Sequence, residues 1–292
     1  MKHTIKLMCD STCDIPQDLA AELGITIMYV VVNIGGKIYQ DSIDFTPDEF
    51  YEMLESQEEI PVTAAVNSAT FKDNYELAFH EGYADVISVT INSGGASTFN
   101  SAQLARDMFF EEHPEAEGKM KIHVVDSRSY SLGFGLPLIQ AAKMRNNGAT
   151  VDELLAHLKD RYQNLQIFLG IYDLRFAKKS GRISSAAAVI GGLMGVKPIM
   201  RMIHGKTENI DKVRGEKNLI PTLIDHAVKA AGGIEEKEFC ILAGSKLEEG
   251  RQLEKELESA FGVKSEGFFR LGSAVAINAG PQTVAVILRA KN

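Results

Sequence analysis

A short polar loop between a predicted strand and a predicted helix is the part of this chain best suited to chemistry. Residues 86–91 form a β-branched apolar run typical of a buried strand, and from Thr98 apolar residues recur at helical spacing. The loop 92–97 between them contains two glycines and two serines. A helix that begins directly after such a loop has free backbone N–H groups and a partial positive charge at its first turn. This arrangement predicts a site for a carboxylate or a phosphate, with Ser93, Ser97 and Thr98 as hydroxyl donors.

Two other interpretations of the loop stay open. Ser97 or Thr98 can serve only as the N-cap of the helix, with the glycines only allowing the chain to turn. The second alternative is a hydrolase or a phosphoryl- or acyl-transfer enzyme with Ser93 or Ser97 as the nucleophile. A serine nucleophile needs a base within reach, and the seven histidines are scattered along the chain outside any recognisable nucleophile motif. We therefore predict a binding protein rather than an enzyme.

Strands and helices alternate around this loop throughout the first half of the chain. This order is typical of an α/β fold with a parallel, doubly wound sheet. In such sheets the residues that follow the strands meet at one edge, where ligands bind. That edge is predicted to gather Asp10, Thr63, Ser93 and Asp126. The predicted strands are residues 5–9, 25–32, 62–63, 86–91 and 121–125.

The second half of the chain has a mixed pattern that predicts an α+β domain. Its predicted strands are residues 166–172, 196–203, 239–244, 264–269 and 283–288, and its predicted helices are residues 218–231 and 247–261. We place the boundary near residue 165, which yields an N-terminal α/β domain of residues 1–165 and a C-terminal α+β domain of residues 166–292. A small hairpin arm is predicted near residues 33–44, with Gly35 and Gly36 at its turn.

The overall composition, with 45% hydrophobic and 24% charged residues, is typical of a globular protein that can bury a sizeable core. The net charge of −8 argues against nucleic acid or an anionic membrane surface as the main partner. The longest uncharged apolar run, residues 186–196, is too short to span a bilayer, and the N-terminus lacks an apolar signal core. Three cysteines indicate a reducing compartment, so we expect a cytoplasmic protein without stable membrane insertion. We expect neither a metal site nor a cofactor.

Five short motifs follow one another along the chain. They are Asp10-Ser-Thr-Cys-Asp-Ile-Pro16, Val124-Val-Asp-Ser127, Ser180-Gly-Arg-Ile-Ser184, Val196-Lys-Pro-Ile199 and Ala279-Gly-Pro281. Each motif alone is weak, but their common order over essentially the full length is specific. Together they resemble the DegV family, fatty-acid-binding proteins of bacteria.

The resemblance implies a fold, a ligand and a partner. The implied fold has two α/β lobes, with a ligand pocket between and beneath them. The implied ligand is a long-chain fatty acid whose tail is buried in an apolar pocket and whose carboxylate is held by hydroxyls at the mouth. The implied partner is a fatty acid kinase, to which the carrier presents the bound acid.

The resemblance also assigns candidate carboxylate-binding residues. Thr63 falls at the threonine of the family's T-S-Q-P-S segment, although residues 64–67 depart from the rest of that segment. Alignment on Thr98 places Ala96 and Ser97 at the serine and glycine of the family's S-G-T loop. The choice between Ser93 and Ser97 as the second hydroxyl therefore stays open.

Four further positions are candidates for contact with the ligand or its head group. Arg175 and Arg182 lie in the segment where the family carries basic residues near the pocket mouth, and a guanidinium can hold a phosphate in bidentate fashion. A surface salt bridge is the alternative for Arg175. Asn278 and Gly280 belong to the C-terminal turn. Asn278 stands where the family often has histidine, and asparagine cannot take up a proton near neutral pH.

Overall fold

The computed structural model describes residues 4–57, 59–180 and 195–290. The chain forms two compact units, one of residues 1–31 and 63–162 and the other of residues 32–62 and 163–292. The segment 32–62, which includes the predicted arm, therefore groups with the second unit. The division into independently folding domains at residue 165 stays a proposal. The α/β class is confirmed, with a parallel sheet in the first half and a mixed sheet in the second.

The strands and helices are numbered here in chain order over the described residues. The strands are β1 (Ile5–Asp10), β2 (Ile25–Met28), β3 (Val31–Ile34), β4 (Lys37–Gln40), β5 (Val62–Ala64), β6 (Asp85–Thr90), β7 (Lys121–Asp126), β8 (Leu165–Ile171), β9 (Val196–Ile203), β10 (Lys206–Arg214), β11 (Phe239–Ala243), β12 (Phe268–Arg270) and β13 (Thr283–Arg289). The helices are α1 (Gln17–Leu23), α2 (Pro47–Ser56), α3 (Ser68–His80), α4 (Thr98–Glu112), α5 (Leu132–Asn146), α6 (Val151–Asn164), α7 (Arg175–Ser180), α8 (Leu219–Ala230), α9 (Leu247–Phe261) and α10 (Ser273–Ala279). None of the helices in these ranges is both long and apolar enough to cross a membrane.

The sheet of the first unit has the order β2-β1-β6-β7, and all of its strand pairs are parallel. Cys9 pairs with Val89 and Thr90 pairs with Asp126, so Asp10 lies beside Thr90 at the carboxyl edge of the sheet. Apolar side chains of α3 and α4 pack against one face of this sheet in a buried cluster. β1, β6 and β7 therefore end at the same edge of the sheet, and this is the edge at which ligands bind in parallel sheets.

The main sheet of the second unit has the order β10-β9-β8-β13-β11-β12. Its pairs are antiparallel except for β11 with β12. Leu219 and Leu223 of α8 and Leu253 of α9 pack in a buried cluster with Phe168 and Phe239 of the sheet. A further three-stranded sheet has the order β4-β3-β5 and contains the predicted hairpin arm as β3 and β4.

Two predicted strands differ from the structure for local reasons. The run 25–32 is divided into β2 and β3, because the backbone N–H of Val30 donates to the Ser11 hydroxyl over 3.1 Å. The run 264–269 becomes a strand only at Phe268. It follows Gly267, whose φ of +151° is a conformation that residues with side chains rarely adopt.

Candidate functional site

The first turn of α4 is the part of the predicted anion site that the structure defines best. Ser97 occupies the N-cap position with φ −81° and ψ 0°, and its side chain makes no capping hydrogen bond. By contrast, Thr46 caps α2 in a complete capping box, and the Asn67 side chain caps α3. Ser97 is exposed, whereas Thr98 is buried as the first residue of the helix. The first N–H groups of α4 are therefore left without an N-cap acceptor.

The loop before α4 is held in a compact turn by Asn92. Its carbonyl oxygen accepts from the N–H of Gly95 over 2.9 Å and of Ala96 over 3.2 Å. Its side-chain oxygen accepts from the N–H of Gly94 over 3.3 Å. The backbone donors of residues 94–96 are therefore used within the loop, and the next donors along the chain belong to the start of α4.

Ser93 is engaged by a carboxylate from the neighbouring strand. Its hydroxyl donates to Oδ2 of Asp126 over 2.5 Å, and its backbone N–H donates to Oδ1 over 3.0 Å. The same Oδ1 accepts the backbone N–H of Arg128 over 2.9 Å. The Ser93 hydroxyl is therefore engaged within the loop, whereas the Ser97 hydroxyl at the helix start makes no capping bond. If Ser93 were a nucleophile, it would need a general base within reach. The group that accepts the hydrogen bond of its hydroxyl is the Asp126 carboxylate.

A second set of contacts joins the loop 92–97 to the segment 126–131. The Asn92 N–H donates to the Ser129 carbonyl over 3.0 Å, and the Asn92 side chain donates to the Tyr130 hydroxyl over 2.7 Å. A side chain at Gly95 would place its Cβ 2.7 Å from the Tyr130 hydroxyl oxygen and would displace the Tyr130 ring. Asp126 was predicted as a strand-end residue, whereas Arg128 and Tyr130 were not predicted. The polar run after the V-V-D-S motif marks their segment, but nothing in that run indicates contact with the loop 92–97.

Asp10 joins the carboxyl ends of β1 and β6 at the same edge of the sheet. Its side chain accepts the Ile91 N–H over 3.0 Å and the Thr12 N–H over 3.2 Å, and it also accepts the Thr12 hydroxyl. Burial raises the pKa of the Asp10 carboxyl, against the opposing effect of these hydrogen bonds. The predicted meeting of Asp10, the β6 loop and Asp126 at one edge is what the structure shows. Thr63, the fourth residue predicted at this edge, lies instead at the centre of β5, which belongs to the separate three-stranded sheet, and it is half-buried.

In the second unit, Arg175 forms the salt bridge that the sequence left as its alternative. Its guanidinium donates to Oδ2 of Asp173 over 2.7 Å from Nε and over 2.6 Å from a terminal nitrogen, and its backbone N–H donates to Oδ1 over 2.9 Å. Burial of Asp173 opposes its ionisation, but the bonds from Arg175 outweigh burial and lower the pKa of the carboxyl. The Arg175 side chain remains 68% exposed, so its outer face is open to a ligand or partner.

The C-terminal turn packs against the segment that carries Arg175. Gly280 has φ +89°, and a Cβ there would lie 3.0 Å from the Phe176 ring and 3.1 Å from the Asp173 carbonyl oxygen. Gly280 is therefore required by close packing and left-handed backbone. The Asn278 amide donates to the Ala274 carbonyl over 2.7 Å within α10. Arg182 lies outside the described residues.

A small cavity of about 40 Å³ borders Arg175 in the second unit, with Glu55, Glu59 and Phe176 in its wall. Pockets for small-molecule ligands usually measure about 300–1,000 Å³. This cavity is therefore too small for a long acyl chain. In the described parts of the chain, no three histidine, cysteine or acidic side chains group as metal ligands.

The chain is an α/β protein. Its parallel sheet carries polar loops at the carboxyl edge, and a mixed sheet covered by helices follows along the chain. The chain belongs to the DegV family, whose description is still that of an uncharacterised protein family and whose model matches residues 4–291. A DegV domain-containing protein from Caldanaerobacter subterraneus is 30% identical over 98% of this chain and 99% of its own length.

Solved structures of relatives share this fold. A DegV family protein from Thermus thermophilus, whose structure concerns fatty acid binding, is 27% identical with a TM-score of 0.87 over 98% of this chain and 99% of its own. A stearic-acid-binding protein from Eubacterium ventriosum is 24% identical with a TM-score of 0.88 over 99% and 98% of the two chains. At that identity the second likeness concerns the fold alone.

Proposed function

We propose that this protein binds a long-chain fatty acid, with the carboxylate at the first turn of α4 and the tail in an apolar interior. The observation that carries the proposal is the start of α4 at the ligand edge of a parallel sheet, where the N-cap residue Ser97 makes no capping bond. Free N–H groups at a helix start favour an anion. Fatty acid binding by the Thermus thermophilus relative supports the choice of ligand. In this proposal Ser97 and Thr63 supply hydroxyls to the carboxylate, and Thr98 begins the helix beneath it.

The two ends of the ligand contribute differently to the binding free energy. Burial of some 14 methylene groups at about 0.8 kcal/mol each contributes about 11 kcal/mol before the costs of binding. Two hydrogen bonds to the carboxylate contribute about 3 kcal/mol together. The tail therefore sets the affinity, and the head-group contacts set orientation and the discrimination between an acid and a neutral lipid.

The proposal includes a role as a cytoplasmic carrier rather than an enzyme, with a fatty acid kinase as partner. The family resemblance supports the kinase, and the count of three cysteines supports a reducing compartment. The family resemblance assigns Arg175, Arg182, Asn278 and Gly280 to contact with the head group or the kinase. The exposed outer face of the Arg175 guanidinium suits a phosphorylated head group.

Mass spectrometry of the organic extract of purified, denatured protein tests ligand binding directly. We expect a long-chain fatty acid in stoichiometric amount. An empty extract, together with no uptake of added fatty acid, contradicts the proposal. A fatty acid kinase assay with the loaded protein as substrate tests the partner, because phosphate transfer should need both proteins.

Thr63→Val tests the assigned hydroxyl while keeping the side-chain shape. We expect the parent to prefer palmitate over its methyl ester, and the variant to lose part of this preference while it keeps its affinity for the tail. Thr26→Val is the matched control, because Thr26 is also half-buried on a strand of the first unit. An unchanged preference for the acid in Thr63→Val removes Thr63 from the site.

A further inference from the structure

Arg128 stands out in the segment that is joined to the start of α4. Its φ of +49° is left-handed, which is uncommon for a residue with a long side chain. Its backbone N–H is held by Asp126, and its side chain is exposed. The guanidinium makes no hydrogen bond or ion pair with any residue in the described part of the chain. Among the described residues, the Arg128 guanidinium is thus an unpaired cation, and hydrogen bonds hold the backbone that carries it.

The position of Arg128 relative to the anion site follows from shared contacts. The backbone nitrogens of Ser93 and Arg128 both donate to one oxygen of Asp126, so they lie within about 6 Å of each other. The hydrogen bonds from Asn92 to Ser129 and Tyr130 prevent the two loops from separating. The Arg128 side chain therefore originates beside the loop that leads into α4.

Arg128 is the one basic residue in the segments of the first unit that carry the candidate site residues. Residues 10–16, 62–67, 91–98 and 126–131 contain no other lysine or arginine. The three carboxylates of these segments accept hydrogen bonds from other groups: Asp10 from Thr12 and the Ile91 N–H, Asp14 from the Ser131 hydroxyl, and Asp126 from Ser93. The guanidinium is therefore the one formal positive charge in these segments that is available to an anionic ligand.

A buried hydroxyl beneath α4 independently points to a ligand at the same place. Thr90 is fully buried, and its hydroxyl has no hydrogen-bond partner among the described residues. Val86, on the same face of β6, packs in the cluster that contains Ala102 of α4. Thr90 lies four residues further toward the carboxyl end of β6, and Thr98 lies four residues before Ala102, so Thr90 faces the first turn of the helix. A buried donor without a partner is rare and indicates a missing acceptor.

We propose that Arg128 binds the charged head group and makes this chain select an ionised carboxylate over a neutral lipid head. This inference rests on the proposed function, because it assigns charge recognition at the same site. A guanidinium beside helix N–H groups stabilises an anion and contributes little to an alcohol or an ester. Arg128 is thus a specificity-determining residue, which adds recognition of the negative charge to the hydrogen bonds that Thr63 and Ser97 donate to the carboxylate.

Calorimetric titration of delipidated protein with palmitate and with hexadecanol, at low and high salt, tests this role. Arg128→Gln should bind palmitate about five-fold more weakly at low salt, lose most of the salt dependence and bind hexadecanol as the parent does. Arg128→Lys should recover much of the affinity. Lys121→Gln is the matched control, because it removes an exposed charge from the opposite end of β7 and should behave as the parent does.

Arg128→Gly separates charge from backbone strain, since glycine accepts the left-handed conformation. It should lose palmitate affinity as Arg128→Gln does, while its melting temperature equals or exceeds that of the parent. If Arg128→Gln binds palmitate with the parent's affinity and salt dependence, the role of Arg128 is wrong and the proposed function stands. If the parent binds neither ligand, both proposals fall.

Discussion

Ser93→Ala distinguishes a residue that positions the loop from one that binds the ligand. The Ser93 hydroxyl donates to Asp126 over 2.5 Å, and the variant removes this bond while the backbone N–H bond of Ser93 remains. A hydrogen bond to a charged group contributes about 1.5–3 kcal/mol, and exposure to solvent at Ser93 reduces this to about 1 kcal/mol. For a chain of this size, that loss lowers the melting temperature by about 2–4 °C. We expect this decrease without a change in the preference for palmitate over its methyl ester.

Ser97→Ala is the matched comparison, because Ser97 is exposed and makes no capping bond. Its melting temperature should equal that of the parent, while its preference for the acid falls about three- to ten-fold through the loss of one hydrogen bond to the carboxylate. Thermal unfolding followed by circular dichroism and calorimetric titration measure the two quantities. An unchanged melting temperature in Ser93→Ala, combined with a lost preference for the acid, would refute the assignment and make Ser93 the ligand hydroxyl.

Three further predictions concern stability and reactivity. Arg145→Met should lower the free energy of unfolding in urea by about 3 kcal/mol or more, because the buried Arg145 guanidinium donates to three backbone carbonyls that methionine leaves unpaired; a loss below 1 kcal/mol would contradict this. The hydrogen bond to Glu115, and a further one to Glu76, raise the pKa of His113, so its stabilising effect is full below the unfolded pKa and is lost as pH rises through the folded pKa. His113→Gln should therefore lower the melting temperature at pH 6 and match the parent at pH 9, and an equal decrease at both would contradict the assignment. Burial raises the pKa of the Cys13 thiol, and all three cysteines are buried, so a thiol reagent should label none of them before unfolding.

The features that sequence predicted correctly are those that depend on neighbouring residues. The hairpin arm predicted near residues 33–44 is present as β3 and β4, because Gly35 and Gly36 allow a tight turn between two neighbouring strands. The strand–loop–helix around residues 86–112 follows from apolar periodicity and the two glycines of the loop. The alternation of predicted strands and helices indicated the α/β class and the parallel sheet of the first unit, both of which the structure confirms.

The sequence by itself therefore determined the fold class, the family and the loop at which an anion is expected. Only the tertiary structure decided which residues of that loop are available. Ser93 is engaged by Asp126, 33 positions away, and the strand from residue 25 is interrupted by the Ser11 hydroxyl, 19 positions before Val30. Arg128 gained its significance in the same way, because no pattern within the segment 126–131 shows that it adjoins the start of α4. Hydrogen bonds between residues distant in the chain have no period and no fixed spacing, so they emerge only when the strands that carry them are paired.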